Sequence, residues 1–446
     1  MKPINRIDRR QWLGASAALC AMSNLDTDAA TISPSRRPRV AAILTEFRFR
    51  SHAHVILENF LEPYYFNGKL TDPGVDLVSL YVDQFPDGDM SRDVAKEYGL
   101  KIYPDIGKAL RMGGKNLAVD GVLSIGEHGR YPVNERGQRM YPRKRFFDEI
   151  VNVFRQSKRV VPIFNDKHLS YRWDWADEMM TVARQLKIPF MAGSSVPLAE
   201  RRPAFELPKN ARIDEVVSIH SGGLESYDFH ALEALQSIVE ARRGGETGVA
   251  EVQLLEGDAV WKAAAEGRWD YDLAKAAMQA GEGNDVGKLE DFVEPGSDER
   301  YPVHVVLVKY RDGLRATVLR IGHSSTRWNF ACRLSGETKP RAASFYVGPW
   351  DNRNLFKALA HAIQSHIRDG QSPYPVERTH LVTGILAAAM DSRFEKHAIQ
   401  KTPHLDIAYQ PQDFRAMREM GKSWEIITED LPEPAGINTG APRRKG

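Results

Sequence analysis

Two patterns of hydrophobic and polar positions divide the chain near Pro203. Before it, short continuous apolar runs are separated by stretches in which apolar residues recur at helical spacing. Continuous runs are typical of strands covered on both faces, and their alternation with helices indicates parallel βαβ units. This part is therefore predicted to be a doubly wound, Rossmann-like parallel sheet. We expect strands at 39–44, 75–82, 101–103, 121–125, 160–164 and 189–192, and helices at 91–98, 106–112, 146–156 and 173–185.

After Pro203 the regular alternation of strands and helices stops. The turn Arg311-Asp312-Gly313 joins two apolar runs, which is typical of a hairpin. We therefore predict a C-terminal α+β domain with a mostly antiparallel sheet. Its expected strands are 213–219, 249–255, 303–310, 314–321 and 345–348, and its expected helices are 226–242, 354–367 and 376–395.

These patterns divide the chain into five segments. The last helices of the fourth segment are allowed, in this division, to pack against the Rossmann-like domain that forms the third. The last residues, from 430, are rich in Pro, Gly and basic residues and are expected to be disordered. The segments are an export signal (1–30), a linker (31–38), a Rossmann-like nucleotide-binding domain (39–200), an α+β substrate and oligomerisation domain (201–400) and a C-terminal extension (401–446).

The first thirty residues combine paired arginines with a short apolar stretch. Arg9-Arg10-Gln11-Trp12-Leu13 precedes an apolar segment that ends near Met22 and is too short to span a bilayer. This order of charged and apolar residues is that of a signal peptide, and the pattern resembles the twin-arginine export signal. An ordinary amphipathic first helix is the alternative. We expect a periplasmic or otherwise exported protein that crosses the membrane already folded.

Charge and composition exclude several classes of protein. The chain has 446 residues, with Lys+Arg 61 against Asp+Glu 59, and so lacks the basic excess of a nucleic-acid binder. No apolar run reaches the roughly 18 residues of a membrane span, so no integral membrane segment is expected. Two cysteines exclude a disulfide scaffold and a cysteine-built metal site, and removal of the signal would leave Cys332 as the only thiol.

Charged and imidazole side chains follow the carboxyl ends of the predicted parallel strands. Open α/β sheets bind ligands at this edge, and buried loops do not tolerate such groups unpaired. We therefore expect a functional cleft there. The candidates are Thr45 after the first strand, Asp83 after the second, Glu127 and His128 after the fourth, and Asp166, Lys167 and His168 after the fifth.

Asp83 and Lys167 carry the sharpest expectations in this set. Asp83 is expected to accept hydrogen bonds from ribose hydroxyls, with the capping of a turn as the alternative. Lys167 is expected to act as an acid or base or to hold a substrate oxygen, with a surface salt bridge as the alternative. No G-x-G-x-x-G follows the first strand, and residues 47–50 (Phe-Arg-Phe-Arg) take its place. The backbone then cannot approach a pyrophosphate closely, although an arginine or the next helix N-terminus could hold a phosphate.

A second cluster opens the long helix of the C-terminal part. Gly222-Gly223 precedes it, and His230 and Glu233 are three residues apart and so share a helical face. We expect His230 to be catalytic and Glu233 to orient it. A satisfied core histidine, or half of a metal site, remains the alternative.

The order of these motifs resembles the Gfo/Idh/MocA family, named after glucose–fructose oxidoreductase and inositol dehydrogenase. The similarity spans about residues 39–400, but it lacks the glycine fingerprint, and His168, Ser226 and Asp228 depart from the family motifs. Four segments carry it: 94–103 resembles the region after the second strand, 165–168 the Glu-Lys-Pro motif with Lys167 at its lysine, 222–233 the glycine-rich motif with His230 at its histidine, and 379–392 the late helix.

This resemblance implies a sugar or polyol oxidoreductase that uses NAD or NADP and forms a homo-oligomer. Lys167 and His230 would be catalytic, and no metal ligand is assigned. Residues at the strand ends would hold the cofactor, namely Thr45, Asp83, Glu127, His128 and Asp166.

Two other functions remain open on the same fold. One is non-redox carbohydrate chemistry, by a lyase or hydrolase that uses the same acids and histidines, with or without a metal. The other is a non-catalytic carbohydrate-binding protein, which the density of titratable groups disfavours.

Overall fold

The first half of the chain alternates strands and helices, as its apolar pattern predicts. The computed structural model describes residues 36–283, 285–293 and 302–437, so the twin-arginine segment lies outside the described residues. In chain order the elements up to residue 193 are β1 (Arg39–Leu44), α1 (His52–Leu61), β2 (Tyr64–Phe66), β3 (Lys69–Thr71), β4 (Asp76–Val82), α2 (Ser91–Glu97), β5 (Lys101–Tyr103), α3 (Ile106–Arg111), β6 (Gly121–Ile125), α4 (Arg143–Ser157), β7 (Ile163–Asp166), α5 (Trp173–Gln185) and β8 (Phe190–Gly193).

Six of these strands form one parallel sheet in the order β5-β4-β1-β6-β7-β8. This is the doubly wound order 3-2-1-4-5-6, in which the strand order reverses between β1 and β6. β1 and β6 are almost completely buried, which explains their continuous apolar sequence. The predicted Rossmann-like sheet is therefore confirmed.

The second half forms a larger sheet with helices on both of its faces. It contains two helices, α7 and α8, and three strands, β9, β14 and β16, that the sequence did not predict. Its elements are β9 (Glu200–Arg202), β10 (Ile213–His220), α6 (Ser226–Val239), β11 (Val249–Glu256), α7 (Asp258–Ala265), α8 (Tyr271–Glu282), β12 (His304–Tyr310), β13 (Arg315–Arg320), β14 (Trp328–Leu334), β15 (Arg341–Tyr346), α9 (Asn352–Asp369), α10 (Glu377–Phe394) and β16 (Gln400–Lys401).

This second sheet has eight strands in the order β16-β11-β12-β13-β10-β14-β15-β9. Only β10 and β13 pair in parallel, so the predicted mostly antiparallel sheet is confirmed. α6 packs on one face, and α7 and α8 pack on the other through an apolar cluster that includes Leu273 and Met278.

The late helices and the C-terminal segment return to the parallel sheet. α9 packs against α1, where Arg353 forms a buried ion pair with Glu58. Glu433 binds both Arg353 and Arg50, and Ile437 is buried, so the predicted disorder does not hold for residues 430–437. The described residues from Arg37 onward belong to one compact unit, and the domain boundary at residue 200 stays a prediction.

No helix among the described residues is both long enough and apolar enough to cross a membrane.

Candidate active site

The carboxyl ends of β6 and β7 carry the centre of the site. Because parallel strands end at the same edge, Glu127 and His128 come to lie beside Lys167 and His168. Lys167 adopts a left-handed backbone (φ 66°), which is uncommon for a residue other than glycine. The side-chain amide of Asn165 donates to the carbonyls of the next three residues at 3.2–3.4 Å and so stabilises this turn.

Glu127 joins two buried cations. Its Oε1 lies 3.2 Å from Lys167 Nζ, and its Oε2 pairs with the guanidinium of Arg143. Burial acts to raise the pKa of Glu127, but Lys167 and Arg143 outweigh it and hold the pKa well below its usual value. Glu127 is therefore a carboxylate, and Lys167 is fixed in position, since its Nζ also donates to the carbonyl of Ser226 at 3.0 Å.

His230 reaches the same cavity from α6 in the second half of the chain. Its Nδ1 lies 2.6 Å from Ser194 Oγ, and Ser194 follows β8 of the parallel sheet. Burial, with a contribution from Lys167, lowers the pKa of His230 well below 6.5, so the ring is neutral at pH 7. The predicted orienting residue Glu233 does not make this contact. It lies deeper, near Gly193 and Thr379, and the structure places it outside the site.

Two further imidazoles lie near His230. His52, in the first turn of α1, donates from Nδ1 to Asp166 at 2.7 Å, and its ring centre lies 5.1 Å from that of His128 and 6.2 Å from that of His230. Burial, with a contribution from His52, lowers the pKa of His128 to about 3. His52 begins the helix that follows the first strand, and nothing in the sequence distinguished it from the other polar residues there.

One cavity of about 690 Å³ is lined by Glu127, Lys167 and the imidazoles of His52, His128, His168 and His230. Its other wall includes Tyr227 and Trp328, whose rings stack with centres 5.3 Å apart and planes 10° apart. Gly222 packs against Tyr227 so closely that a Cβ there would lie 1.9 Å from the ring, and only glycine fits at this position. A polar floor under a flat aromatic wall suits a ring-shaped ligand with several hydroxyl groups.

Five of the predicted site residues line the cavity and three do not. Those that line it are Lys167, His168, His230, Glu127 and His128. Thr45 and Asp166 are buried behind it, where Thr45 donates to the carbonyl of Glu127 and Asp166 accepts from His52.

Asp83 lies away from the cavity, and its carboxylate is already occupied. It accepts hydrogen bonds from Tyr81 and Tyr131, both at 2.6 Å, and pairs with Arg145. The structure thus gives the predicted ribose-binding role no support.

The residues around the cavity fit the nicotinamide half of a dinucleotide better than its pyrophosphate. Cavity-lining Glu127 and His128 offer polar groups at the carboxyl edge, where such a ring would lie. The loop after β1, however, places buried Phe47 and the Glu46–Arg48 ion pair where a glycine loop would approach phosphate. The Thr45 N–H donates to the carbonyl of Ile125 and so continues the pairing of β1 with β6. This loop therefore offers a pyrophosphate no glycine-rich backbone.

One group of side chains has the spacing of metal ligands. Ligand atoms of His220, Asp228 and His304 lie within 4.8 Å of one another, which among the described residues is found for this group alone. Both rings donate Nε2–H to Asp228 Oδ1, at 2.9 and 2.8 Å, and His304 also donates Nδ1–H to the carbonyl of Pro302. Burial opposes the charged form, but Asp228 raises the pKa of His304. These hydrogen bonds explain the cluster without a metal ion: the Asp228 carboxylate is paired with the imidazolium of His304.

Comparison with solved structures finds dehydrogenases of similar fold. GenD2 from gentamicin A biosynthesis, in complex with NAD, is 12% identical over 82% of this chain and 96% of its own, with a TM-score of 0.52. A probable dehydrogenase from Thermotoga maritima and a myo-inositol dehydrogenase from Corynebacterium glutamicum are each 12% identical, cover 82% of this chain and 99% of their own, and have TM-scores of 0.50.

The chain has the fold of the Gfo/Idh/MocA dehydrogenases. At these identities the likeness concerns the fold, and no protein-family model and no curated protein matches the chain. The resemblance stated from the sequence is confirmed at that level. Lys167 and His230, the residues it singled out, come from opposite halves of this fold to one cavity.

Sequence reasoning missed Ser194, Arg143 and Glu225. Ser194 follows the sixth parallel strand. A search for polar residues at the carboxyl ends of all six strands would therefore have found it. Arg143 begins α4 and gives no local signal, because its two partners are 16 and 25 residues away. Glu225 stands between the glycines and His230 and lines the cavity, but nothing in the sequence distinguished it from its neighbours.

Proposed function

We propose that the protein is an enzyme that oxidises or reduces a sugar or polyol, with NAD or NADP as the hydride partner. The observation that carries this proposal is the meeting of Lys167 and His230 in one cavity, at the carboxyl edge of a doubly wound sheet. The fold, which solved dehydrogenases share, supports it.

Lys167 would hold the reacting oxygen of the substrate. Of its three N–H donors, one binds the carbonyl of Ser226 and one faces Glu127, so a third is left for a ligand. Fixing the ammonium in this way orients it without neutralising it, and a positive charge beside the substrate oxygen stabilises an alkoxide.

His230 would be the acid–base group. Its ring is neutral, and Ser194 binds Nδ1, so Nε2 is the atom that takes a proton from a substrate hydroxyl or returns one to it. NAD(P), when bound, supplies or accepts the hydride. Glu127 and His128 are the cavity residues that would face its nicotinamide end.

A second candidate function is non-redox chemistry on a sugar in the same cavity, by a lyase or hydrolase without a nucleotide. The loop after β1 favours this second function, because it contains buried Phe47 and the Glu46–Arg48 ion pair in place of the glycines that would approach a pyrophosphate. Lys167, Glu127 and the imidazoles would serve it equally well.

Nucleotide content separates the two candidates. Protein purified from cytosol would be denatured, and the supernatant tested for nicotinamide nucleotides by absorbance and fluorescence. Calorimetric titration with NAD⁺, NADH, NADP⁺ and NADPH would follow, together with a turnover assay on aldoses, ketoses, uronic acids and inositols. Released or bound nucleotide with turnover supports the oxidoreductase. Turnover without any nucleotide overturns it and leaves the second candidate.

We also propose that the protein is exported by the twin-arginine route and that it forms a homo-oligomer. The pattern Arg9-Arg10-Gln11-Trp12-Leu13 supports export. The resemblance stated from the sequence supports assembly through the sheet-bearing second half. Sedimentation equilibrium of the protein without residues 1–30 would test the assembly, and a monomer at every concentration would overturn it.

A further inference from the structure

Glu225, at the N-terminus of α6, has an unusual backbone conformation. Its φ of 67° and ψ of −64° lie outside the regions that residues other than glycine favour. Such conformations persist only where the surrounding structure enforces them, and they concentrate at functional sites. Here a capping box enforces it, since the Glu225 carboxyl accepts the N–H of Asp228 and the Asp228 carboxyl accepts that of Glu225. The result is that Glu225 lines the cavity.

The two carboxyl oxygens of Glu225 differ in their contacts. Oε2 accepts the backbone N–H of Arg139 at 3.0 Å. Oε1 has no hydrogen-bond partner among the described residues, although the side chain is only 9% exposed. The nearest ring nitrogen, His168 Nε2, lies 4.0 Å away and already accepts a hydrogen bond from Arg143, so it cannot donate to Glu225.

The cations near Glu225 are bound to other groups. Arg143, on α4, pairs with Glu127 and donates to His168. Lys167, after β7, binds Glu127 and the carbonyl of Ser226. The Glu127 charge also faces Glu225, and Arg139, from the loop before α4, contacts it through its backbone N–H. Burial, assisted by the Glu127 charge, raises the pKa of Glu225 to about 7 against the opposing effects of Arg139, Arg143 and Lys167.

We propose that Glu225 is a catalytic acid, whose carboxyl gives a proton to an oxygen of the substrate in the cavity. It is a second proton donor, separate from the Lys167–His230 pair. The O–H bond of the carboxyl breaks, its electron pair stays on the carboxylate, and the proton forms a new O–H bond with a substrate oxygen that is gaining negative charge. The substrate class is a sugar or polyol that presents a second oxygen to α6. The proposal rests on this cavity being the active site, but not on hydride transfer.

Glu233 provides a matched control. It lies on the same helix, burial likewise raises its pKa to about 7, and it does not line the cavity. Glu225→Gln and Glu233→Gln therefore remove the same kind of group, one at the cavity and one behind it.

The first measurement is the infrared carbonyl band of protonated carboxyls at pH 6 and pH 9. We expect each variant to lack one band that the unaltered protein shows at pH 6. Carbodiimide labelling at pH 6, read by mass spectrometry, should modify Glu225 and spare Glu233. A Glu225 that shows no protonated band at pH 6, or is not labelled, overturns the proposal whatever the reaction is.

The second measurement is the pH profile of kcat/KM, with a substrate found in the turnover assay. The unaltered protein and Glu233→Gln should lose activity as the pH rises through about 7. Glu225→Gln should have a kcat/KM about 10²–10⁴-fold lower, and its kcat/KM should not fall as the pH rises through 7. Glu225→Asp should recover part of the rate. Normal kcat/KM in folded Glu225→Gln refutes the catalytic role, while nucleotide binding and the Lys167 result stay unaffected. If Glu225→Gln fails to fold, the pH profile of Glu225→Asp decides. A kcat/KM that falls at the same alkaline pH in Glu225→Asp as in the unaltered protein would refute the proposal.

Discussion

Ser194 Oγ lies 2.6 Å from His230 Nδ1 and so joins the end of the sixth parallel strand to the helix that carries the proposed base. Ser194 Oγ also accepts the N–H of Val196, which holds the hydroxyl in place. One ring nitrogen of His230 is thereby fixed, and the other is left for the ligand.

Ser194→Ala removes this contact. A hydrogen bond between neutral groups contributes about 0.5–1.5 kcal/mol, so we expect kcat to fall by roughly 3- to 10-fold. Ser237→Ala, further along α6, should leave kcat unchanged, because Ser237 donates only to the carbonyl of Ala234. Steady-state kinetics would check this, and equal effects of the two changes would contradict it.

Lys167→Met and His230→Gln test the proposed pair directly. Each should lower kcat by about 10²–10⁴, since a positioned acid–base group contributes that much. The double variant should be no worse than the slower single variant if the two residues act as a unit. Lys187→Met, an exposed lysine after α5, is the control. Full activity of Lys167→Met would leave the resemblance with support for the fold alone.

Acid should destabilise the protein through its buried histidines. Burial lowers the pKa of His54 and His128 from 6.5 to about 3, so between these values the unfolded chain takes up protons that the folded protein does not. The free energy of unfolding should therefore fall with pH below 6.5, by up to about 1.4 kcal/mol per pH unit for each histidine.

Glu225 and Glu233 oppose this trend. Burial raises their pKa from 4.5 to about 7, so the stability they contribute is full below 4.5 and is lost as the pH rises to 7. The double variant Glu225→Gln/Glu233→Gln should lose stability more steeply between pH 7 and pH 5 than the unaltered protein. Urea unfolding at several pH values would measure this, and parallel curves would contradict it.

Arg378 on α10 and Glu240, directly after α6, form a buried ion pair, with side chains 0% and 1% exposed. Removing one partner leaves an unpaired buried charge, so Arg378→Met should lower the free energy of unfolding by about 3–5 kcal/mol. Arg378→Met/Glu240→Leu should recover much of that loss, because no charge is then left buried. A double variant less stable than Arg378→Met would contradict this account.

Arg9→Lys/Arg10→Lys should retain the protein in the cytoplasm if residues 1–30 are a twin-arginine signal. Cell fractionation and immunoblotting would show it, with the unaltered chain as the exported reference. Unchanged recovery outside the cytoplasm would refute the twin-arginine route.

Glu127, His128 and Lys167 could be predicted from the sequence, because the topology of a parallel sheet brings the carboxyl ends of its strands together. Asp83 also follows such a strand end and yet lies outside the cavity. Tyr131 and Arg145, 48 and 62 residues later, bind its carboxylate, and no local pattern shows this.

Glu233 was wrongly expected to orient His230. Helical spacing places both residues on one face, but it does not show which residues of another element meet that face. Ser194 meets His230 from the parallel sheet, 36 residues away in sequence. The second half was harder to predict for a similar reason, since the strand pairings of β14 and the packing of α8 are long-range.

Glu433 binds Arg50 across 383 residues of sequence and also binds buried Arg353. The chain must therefore be made at least as far as Glu433 before these contacts can form. Until then Arg353 lacks one of its two carboxylate partners, and Arg50, which lines the cavity, lacks its closest one. The cavity wall at Arg50 is consequently complete only in a chain that includes Glu433, and chains that stop short of Glu433 should bind ligands less well than chains that contain it.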